Sequence, residues 1–205
     1  MEILNPGYEI IDSLNYDAIL KKIEQCGRVS YKSEDRITPD SAEKFVRNIL
    51  KSGHESVIEH HSITIKFICD RGVSHELVRH RIASFTQEST RYVNYTKKRF
   101  AVIKPPASSF KDENDYEYWK ATNLQCEKTY FSMIDSGHTP EQARMFLPTC
   151  LKTELVVTAN LREWRHILQL RTARDAHPQM REIMIPLLAE LTQRLPVFFE
   201  DIVTQ

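Results

Sequence analysis

The fold of this chain is decided by residues 62–91, which read SITIKFICDRGVSHELVRHRIASFTQESTR. Residues 62–69 alternate small or polar side chains with large apolar ones and are rich in β-branched residues, which predicts a half-buried strand. The period then changes, and residues 73–80 indicate a short helix with Ser74 as its N-cap. A strand that leads directly into a helix predicts a mixed architecture.

Helical patterns dominate the sequence on either side of this stretch. Asp40 and Glu43 form a capping-box pattern, and Gly53 marks the end of the same helix. Further helices are predicted over residues 13–27, 116–136, 161–171 and 180–195, and further strands over residues 99–104 and 153–158. This order predicts an α+β fold, in which a small, mainly antiparallel sheet packs with several helices in a single domain over residues 1–205.

The charges of the chain balance as a whole but not locally. The 205 residues include 28 Lys and Arg and 28 Asp and Glu, so the formal net charge is zero. Residues 71–99 nevertheless hold seven basic residues against two acidic ones, and residues 144–174 hold six against two. Two basic regions that are distant in sequence could converge on one anion, whereas the zero net charge argues against nonspecific binding of nucleic acid or anionic membranes.

Cysteine spacing and hydropathy indicate a cellular compartment. The four cysteines are widely spaced and form no C-x-x-C pair, which favours a reducing environment. No apolar run has the length of a membrane span or the form of a signal peptide. We therefore expect a cytoplasmic protein without membrane partners.

The segment from Arg79 to Arg91 is the strongest candidate for a binding site. Guanidinium groups bind phosphates and carboxylates through paired hydrogen bonds, so three arginines in thirteen residues indicate anion recognition. Because Arg79 and Arg81 adjoin apolar residues, we expect part of the segment to lie near the core, where a guanidinium needs a partner. If the following residues are extended, Gln87, Ser89 and Arg91 project from one face towards a common ligand.

Three other interpretations of the sequence compete with an anion site. A nucleic-acid-binding module could use the basic stretch 71–99, although the zero net charge and the second basic region count against it. A metal site is disfavoured because His75 and His80 are five residues apart, whereas a zinc-binding helix presents two histidines four apart. Cys150 could be a nucleophile, but a lone cysteine in an apolar context is usually buried packing.

Four motifs in order make the chain resemble the flavin-dependent thymidylate synthases. The segment Arg79-His80-Arg81, followed after seven residues by Ser89, is the signature pattern of that family. The other three blocks are His54-x-Ser56-x-x-Glu59, Arg144 ahead of Leu147-Pro148, and Asn160-x-Arg162-x-x-x-His166-x-x-x-x-Arg171. The resemblance spans residues 10–200. Three positions, Gln87, Thr90 and His166, differ from the residues that many relatives carry.

The resemblance implies a reaction and a set of partners. The family's enzymes methylate dUMP to dTMP, with methylenetetrahydrofolate as carbon donor, NADPH as reductant and FAD as cofactor, and release tetrahydrofolate. A homotetramer with sites shared between subunits is implied as well. The same scaffold could also serve a nucleotide-binding protein or a flavin-dependent, dUMP-using relative with altered chemistry.

The resemblance also assigns roles to individual residues. Arg171 is the implied catalytic residue, since a cation beside the imide of uracil would stabilise the anion that develops on the ring. The implied nucleotide-binding residues are Glu76, Arg79, Gln87, Glu88, Ser89, Thr90, Arg91, Arg144 and Arg171, with Arg144 contributed by a neighbouring chain. The implied flavin-binding residues are His54, Ser56, Glu59, Arg79, His80, Arg81, Gln87, Asn160, Arg162 and His166.

Overall fold

The computed structural model describes residues 1–204 and contains both helices and strands. The strands are β1 (Glu2–Leu4), β2 (Gly7–Ile10), β3 (Ser62–Asp70), β4 (Ala83–Gln87), β5 (Ala101–Ile103) and β6 (Lys152–Asn160). The α-helices are α1 (Tyr16–Arg28), α2 (Ser41–Lys51), α3 (Arg71–Leu77), α4 (Glu113–Asp135), α5 (Pro140–Ala143), α6 (Leu161–Thr172), α7 (Pro178–Arg194) and α8 (Pro196–Phe199). The prediction of an α+β fold is confirmed.

The larger sheet has four strands in the order β2-β3-β6-β4. The Thr64 and Thr158 hydroxyls lie 3.0 Å apart, and three residues further along, the Leu161 N–H donates to the His61 carbonyl. Residue numbers therefore increase along β6 in the direction in which they decrease along β3, so the two strands are antiparallel. A second sheet has two strands, and here β1 pairs with β5 in parallel, with Glu2 opposite Ala101.

Strand β3 has the alternation of buried and partly exposed side chains that the sequence pattern predicts. Its inward residues Ile63, Ile65 and Phe67 are fully buried, while Thr64 and Lys66 between them remain partly exposed. Strand β6 alternates in the same way along all nine of its residues. Side chains on a strand point alternately to opposite faces, so each of these strands contributes one apolar face to the core.

The chain divides into two compact units. One consists of Met1–Tyr8, Lys66–Arg79 and Phe85–Val156, and we call it the first unit. The other, which we call the second unit, consists of Glu9–Ile65, His80–Ser84 and the described residues from Val157 onward. The predicted domain of residues 1–205 includes Gln205, which lies outside the described residues.

Each unit has a core of its own. In the first unit, Tyr95, Phe100, Val102 and Leu151 pack around the fully buried ring of Tyr130. In the second unit, the buried apolar faces of α1, α2, α6 and α7 supply the core. Helix α1 carries Gly27 where a Cβ atom would lie 2.7 Å from the Phe45 ring, so α1 can approach α2 closely only with glycine at this position.

Several helix ends differ from the sequence predictions. Helix α3 begins after Asp70, whose carboxylate accepts a hydrogen bond from the Val73 N–H at 2.7 Å, so Asp70 rather than Ser74 is the N-cap. Asp40 precedes α2 as predicted, but its side chain makes no capping hydrogen bond. Gly53 follows α2 with φ of 70°, the left-handed conformation that glycine adopts without strain. Among residues 1–204, no helix combines the length and apolarity that crossing a membrane requires.

Candidate functional site

The junction of β6 and α6 organises a polar cluster in the second unit. Asn160 is the last residue of β6, and its side-chain oxygen accepts a hydrogen bond from the Glu163 N–H at 2.9 Å, which caps α6. Helix α6 then presents Glu163, His166 and Arg171 in succession. The cap at Asn160 therefore fixes the first turn of α6, the helix that carries these three side chains.

His80 is the centre of this cluster. It is 7% exposed, and its Nε2 atom accepts a hydrogen bond from the Arg171 Nε–H at 3.0 Å. Its Nδ1 atom lies 3.5 Å from a carboxylate oxygen of Glu163, and its ring packs edge-on against His166 at 5.7 Å between centroids. Burial, reinforced by the positive charge of Arg171, lowers the pKa of His80 to about 4, so the imidazole is neutral near pH 7.

A cavity of about 470 Å³ opens beside this cluster. Four residues predicted to bind flavin line it, namely Glu59, Asn160, Arg162 and His166. Arg162 donates to the Glu59 carboxylate at 2.6 Å, and it is half exposed. Beside the carboxylates of Glu55, Glu59 and Glu163, the cavity offers a cation, an imidazole and an amide, which are donor groups that suit the polar edge of a flavin ring.

Two other predicted flavin residues lie elsewhere in the second unit. His54 and Ser56 line a separate cavity of about 310 Å³ together with Gly27, Tyr31 and residues of α2. His54 lies three residues past the end of α2 and immediately precedes the 3-10 helix Glu55–His60. The structure therefore does not place these two side chains in the cavity that contains His166.

In the first unit, a cavity of about 450 Å³ collects cationic side chains. Arg71, Thr90 and Arg144 line it, as does Glu141, whose carboxylate lies 2.9 Å from Nε of Arg91. Three of the predicted nucleotide residues, Thr90, Arg91 and Arg144, are thus brought to one place. Such a concentration of guanidinium groups suits a phosphate or a carboxylate.

Arg71 was not among the sequence candidates, although it belongs to the basic stretch 71–99. Its Nη1 atom is buried and has no hydrogen-bond partner within residues 1–204. A buried guanidinium N–H without a partner is costly, so a ligand that supplies an acceptor would stabilise it. Its only sequence signal was its place at the start of that basic stretch, directly after Asp70 at the end of β3.

Gln87 and Glu88 have their side chains engaged within the first unit. The Gln87 amide donates to the Ser74 and Thr153 hydroxyls at 2.9 and 3.2 Å. The Glu88 carboxylate accepts from the Tyr95 hydroxyl and from the Lys152 ammonium group, at 2.8 and 2.9 Å. Both residues line a cavity of about 730 Å³, but these bonds leave little freedom to bind a ligand in the same geometry.

One expectation about the arginine segment is confirmed in part, and another is wrong. His80 is 7% exposed, so part of the segment lies near the core, but Arg79 and Arg81 are exposed and their guanidinium groups are not held there. Gln87, Ser89 and Arg91 do not share an extended face, because β4 ends at Gln87 and the Tyr92 N–H then closes a turn on the Ser89 carbonyl. A turn at Ser89 redirects the chain before Arg91. Of the other predicted nucleotide residues in this region, Glu76 is half-buried in α3, where its carbonyl accepts from the Arg79 N–H.

Burial suppresses the reactivity of Cys150. The Sγ atom donates to the side-chain oxygen of Asn123 at 3.0 Å, and burial raises the pKa of the thiol to about 11. A thiol with such a pKa is protonated at neutral pH and is a weak nucleophile.

Within the described residues, no group of three or more His, Cys, Asp or Glu side chains is arranged to hold a metal ion.

Arginine side chains line the cavities of about 450 and 470 Å³, an arrangement that suits anionic ligands, and comparison with known proteins identifies the family of this α+β chain. The profile of the family described as "Thymidylate synthase complementing protein" matches residues 12–197. The flavin-dependent thymidylate synthase of Pyrococcus furiosus is 38% identical over 177 residues, which cover 84% of this chain and 71% of that protein. The enzyme of the same description from Geobacter sulfurreducens is 32% identical and covers 82% and 72%.

A solved structure agrees with these matches in fold. The UMP/dUMP methylase PolB from Streptomyces cacaoi, bound with 5-Br dUMP, has a TM-score of 0.84 and 26% identity, and the alignment covers 100% of both chains. The chain belongs to the flavin-dependent thymidylate synthase family. It is accordingly a flavin-dependent methyltransferase, and the resemblance identified from the sequence motifs is confirmed.

Proposed function

We propose that this enzyme converts dUMP to dTMP with methylenetetrahydrofolate as carbon donor and NADPH as reductant. In the overall change C5 of uracil loses a proton and gains the methylene carbon, whose two bonds to folate nitrogens break, and a hydride from NADPH reduces that carbon to methyl. The two nitrogens take up two protons, so that one proton is consumed in all and tetrahydrofolate and NADP⁺ are left. The observation that carries the proposal is the bond from Arg171 to His80, which fixes a permanent cation within the block of residues that defines the family.

Arg171 is the proposed catalytic residue. The Nε–H group of Arg171 donates a hydrogen bond to His80, and this bond constrains the orientation of the guanidinium group. A cation held beside the imide of uracil lowers the energy of the negative charge that develops as C5 becomes nucleophilic. Because guanidinium groups remain charged, Arg171 acts as an electrostatic stabiliser and not as a general base.

The nucleotide phosphate is proposed to bind at the cationic cavity of the first unit. Arg144 and Thr90 line that cavity, and Arg71 adds a third group whose buried N–H lacks a partner in residues 1–204. The remaining proposed nucleotide contacts are Glu76, Arg79, Gln87, Glu88, Ser89 and Arg91. Of these, Gln87 and Glu88 must break their present hydrogen bonds before their side chains can bind a ligand.

The flavin is proposed to bind at the cavity of about 470 Å³ in the second unit. Glu59, Asn160, Arg162 and His166 line it, and His80 lies beside it through its ring contact with His166. Reduced FAD supplies the hydride when it is bound. His54, Ser56, Arg79, Arg81 and Gln87 complete the proposed set of flavin-binding residues.

A homotetramer with shared sites is the proposed assembly. Arg144 is exposed, and the two residues that follow it are apolar and exposed, Met145 by 71% and Phe146 by 37%. Apolar side chains beside an exposed arginine are typical of protein interfaces. This surface supports placing the cavity that Arg144 and Thr90 line against a neighbouring subunit, so that the phosphate bound there belongs to the nucleotide whose uracil ring lies beside Arg171 of that neighbour.

We further propose that residues 1–205 form one family domain and that the enzyme is cytoplasmic, which its four free cysteines favour.

The proposed activity is tested with the purified protein. It should show the yellow absorption of bound flavin, and it should form dTMP from dUMP only when folate donor and reductant are both present. Flavin absent from folded protein, even after addition of FAD, together with salt-dependent binding of oligonucleotides, would point instead to the nucleic-acid-binding interpretation.

The proposed role of Arg171 is tested by substitution. Arg171→Ala should lower kcat about 100-fold or more, which is the range for loss of one charge-stabilising donor. Arg174→Ala is the matched control, because Arg174 is an exposed arginine three residues further along the chain. Full activity in Arg171→Ala would exclude the assignment.

UMP is a second candidate substrate, favoured by one observation. The structural neighbour PolB is described as a UMP/dUMP methylase. Parallel assays with UMP and dUMP measure the preference as the ratio of the two kcat/KM values. A higher value for UMP would assign the chain to a relative with altered chemistry.

A further inference from the structure

A buried carboxylate lies behind the proposed catalytic arginine. Glu163 is 7% exposed, and one of its oxygens lies 3.5 Å from Nδ1 of His80. Burial raises the pKa of Glu163, because water is excluded from its charged form. A carboxylate in such a place needs a hydrogen-bond donor, and the imidazole of His80 is close enough to supply one.

The hydrogen bonds of His80 determine which ring nitrogen carries the proton. Arg171 can only donate, so the Nε2 atom that it contacts at 3.0 Å must be an unprotonated acceptor. The neutral imidazole then carries its single proton on Nδ1. Nδ1 is the nitrogen that lies 3.5 Å from the Glu163 carboxyl group, and an acceptor oxygen at that position favours this tautomer over the alternative.

Helix α6 gives the arrangement its rigidity. Glu163 and Arg171 both belong to α6, and eight residues correspond to about 12 Å along a helix axis. The backbone of Glu163 is fixed by the Asn160 cap at one end, and His80 reaches both side chains from outside the helix. The carboxylate, the imidazole and the guanidinium group therefore form a chain in which each member orients the next.

We propose that Glu163 is a positioning residue, which holds His80 in the Nδ1–H tautomer so that its Nε2 atom anchors Arg171 for catalysis. The catalytic part of this statement rests on the proposed function of Arg171, whereas the tautomer of His80 does not. If the carboxylate is removed, Nδ1–H loses its acceptor and the ring can protonate Nε2 instead. An Nε2–H group would repel the Arg171 donor and release the guanidinium group from its orientation.

The tautomer is tested directly by ¹⁵N NMR of the histidine ring nitrogens in the 205-residue chain. Wild type should show His80 protonated on Nδ1 and unprotonated on Nε2. Glu163→Leu should shift the population towards Nε2–H, and Glu163→Gln, whose amide oxygen can still accept from Nδ1–H, should restore the wild-type pattern. Glu190→Leu is the control, because Glu190 is a partly exposed glutamate of α7 that pairs with Arg194.

Steady-state kinetics provide the second measurement. Glu163→Leu should lower kcat about 10- to 100-fold, the range that follows from a misplaced catalytic group, with a change in KM for dUMP of less than about threefold. Glu163→Gln should recover most of the loss. If Glu163→Leu does not fold, Glu163→Asp, which withdraws the carboxylate by one methylene, must shift the tautomer in the same direction.

The two measurements separate the possible failures. An unchanged Nδ1–H tautomer in the folded Leu or Asp variant overturns the proposed role of Glu163, whatever the activity. A shifted tautomer with unchanged kcat overturns the link to catalysis. Absence of thymidylate synthesis in wild type would refute the proposed function while leaving the NMR result to decide the role of Glu163.

Discussion

Burial decides the chemistry of Cys150 at the scale of a single residue. A thiol becomes a nucleophile by losing its proton, and the raised pKa of about 11 prevents this near neutral pH. Its Sγ–H instead serves as a hydrogen-bond donor to Asn123. We conclude that Cys150 contributes to packing and not to the attack on a pyrimidine ring.

Cys150→Ser should therefore leave kcat within about twofold of wild type and cost about 1 kcal/mol of stability, because serine keeps a donor but packs less well. Thermal unfolding and dTMP formation measure the two effects. Cys126→Ser is the control, since Cys126 is another half-buried free cysteine of the first unit. A folded but inactive Cys150→Ser enzyme would show that the thiol takes part in the reaction.

His80 makes the stability of the enzyme sensitive to acid. Its pKa falls from the ordinary value of 6.5 to about 4 on folding, so between these pH values the unfolded chain binds a proton that the folded chain does not. The free energy of unfolding therefore decreases as pH falls from 6.5 to 4, by up to about 3 kcal/mol. The raised pKa of Glu163 acts in the opposite direction.

His80→Gln should lose most of this decrease, which urea unfolding at a series of pH values will measure as a flatter dependence than in wild type. The absolute stability of the variant does not enter the comparison, because only the slope is tested. His138→Gln is the control at an exposed histidine and should keep the wild-type slope. Equal slopes in His80→Gln and wild type would contradict the lowered pKa.

At the scale of elements, the junction between β6 and α6 joins stability to the proposed flavin site. Asn160 ends the strand, caps the helix and lines the cavity. Its side-chain oxygen makes the cap, whereas its amide NH₂ group is the part that can donate to a ligand. The two roles therefore depend on different atoms of one side chain.

Substitutions at Asn160 separate these roles. Asn160→Ala should cost about 1 kcal/mol through loss of the cap, while Asn160→Asp should keep the stability because aspartate caps equally well. Both variants should bind flavin more weakly, since neither retains the amide donor. Chemical unfolding and titration with FAD provide the two readouts. Wild-type flavin affinity in Asn160→Asp would remove this residue from the proposed binding set.

Elements with a long periodic pattern could be predicted from the sequence, and short ones could not. Strands β3 and β6 alternate over nine residues each, and their positions were predicted to within about two residues. Strands β1 and β2 have only three and four residues, too few to show a period. Strand β4 was missed because its residues lie inside the arginine segment, where the charged motif obscured the alternation.

The candidate sites, like the strands, could be predicted only where their residues lie close together in the sequence. Spacing along the sequence could group Asn160, Arg162, His166 and Arg171, because Asn160 caps α6 and the other three belong to that helix. The contact of Arg171 with His80 joins residues 91 positions apart, and no local pattern reports such a contact. Arg71 was missed for a related reason, since its role depends on the buried environment of its Nη1 atom.

At the scale of the whole molecule, the proposed sharing of sites between subunits makes a specific prediction. If Arg144 serves the site of a neighbour, a subunit with Arg144→Ala and one with Arg171→Ala are each inactive but can complement each other. In a symmetric assembly mixed at random in equal amounts, about one quarter of the sites would carry both arginines.

Mixing the two variants, with unfolding and refolding to exchange subunits, should therefore recover about one quarter of wild-type activity. Each variant taken alone through the same procedure is the control and should remain inactive. Recovery of no activity, in assemblies shown by native mass spectrometry to contain both variants, would place Arg144 and Arg171 in the site of the same subunit.

The burial of two cysteines has a consequence for inhibitor design. Burial raises the pKa of Cys69 to about 12 and that of Cys150 to about 11, so neither presents a thiolate at neutral pH. A pyrimidine analogue designed to be trapped by a protein thiolate would find no reactive partner in either residue. Against this enzyme, an inhibitor of dUMP binding would have to gain its residence time from contacts with arginines and not from a covalent bond to these thiols.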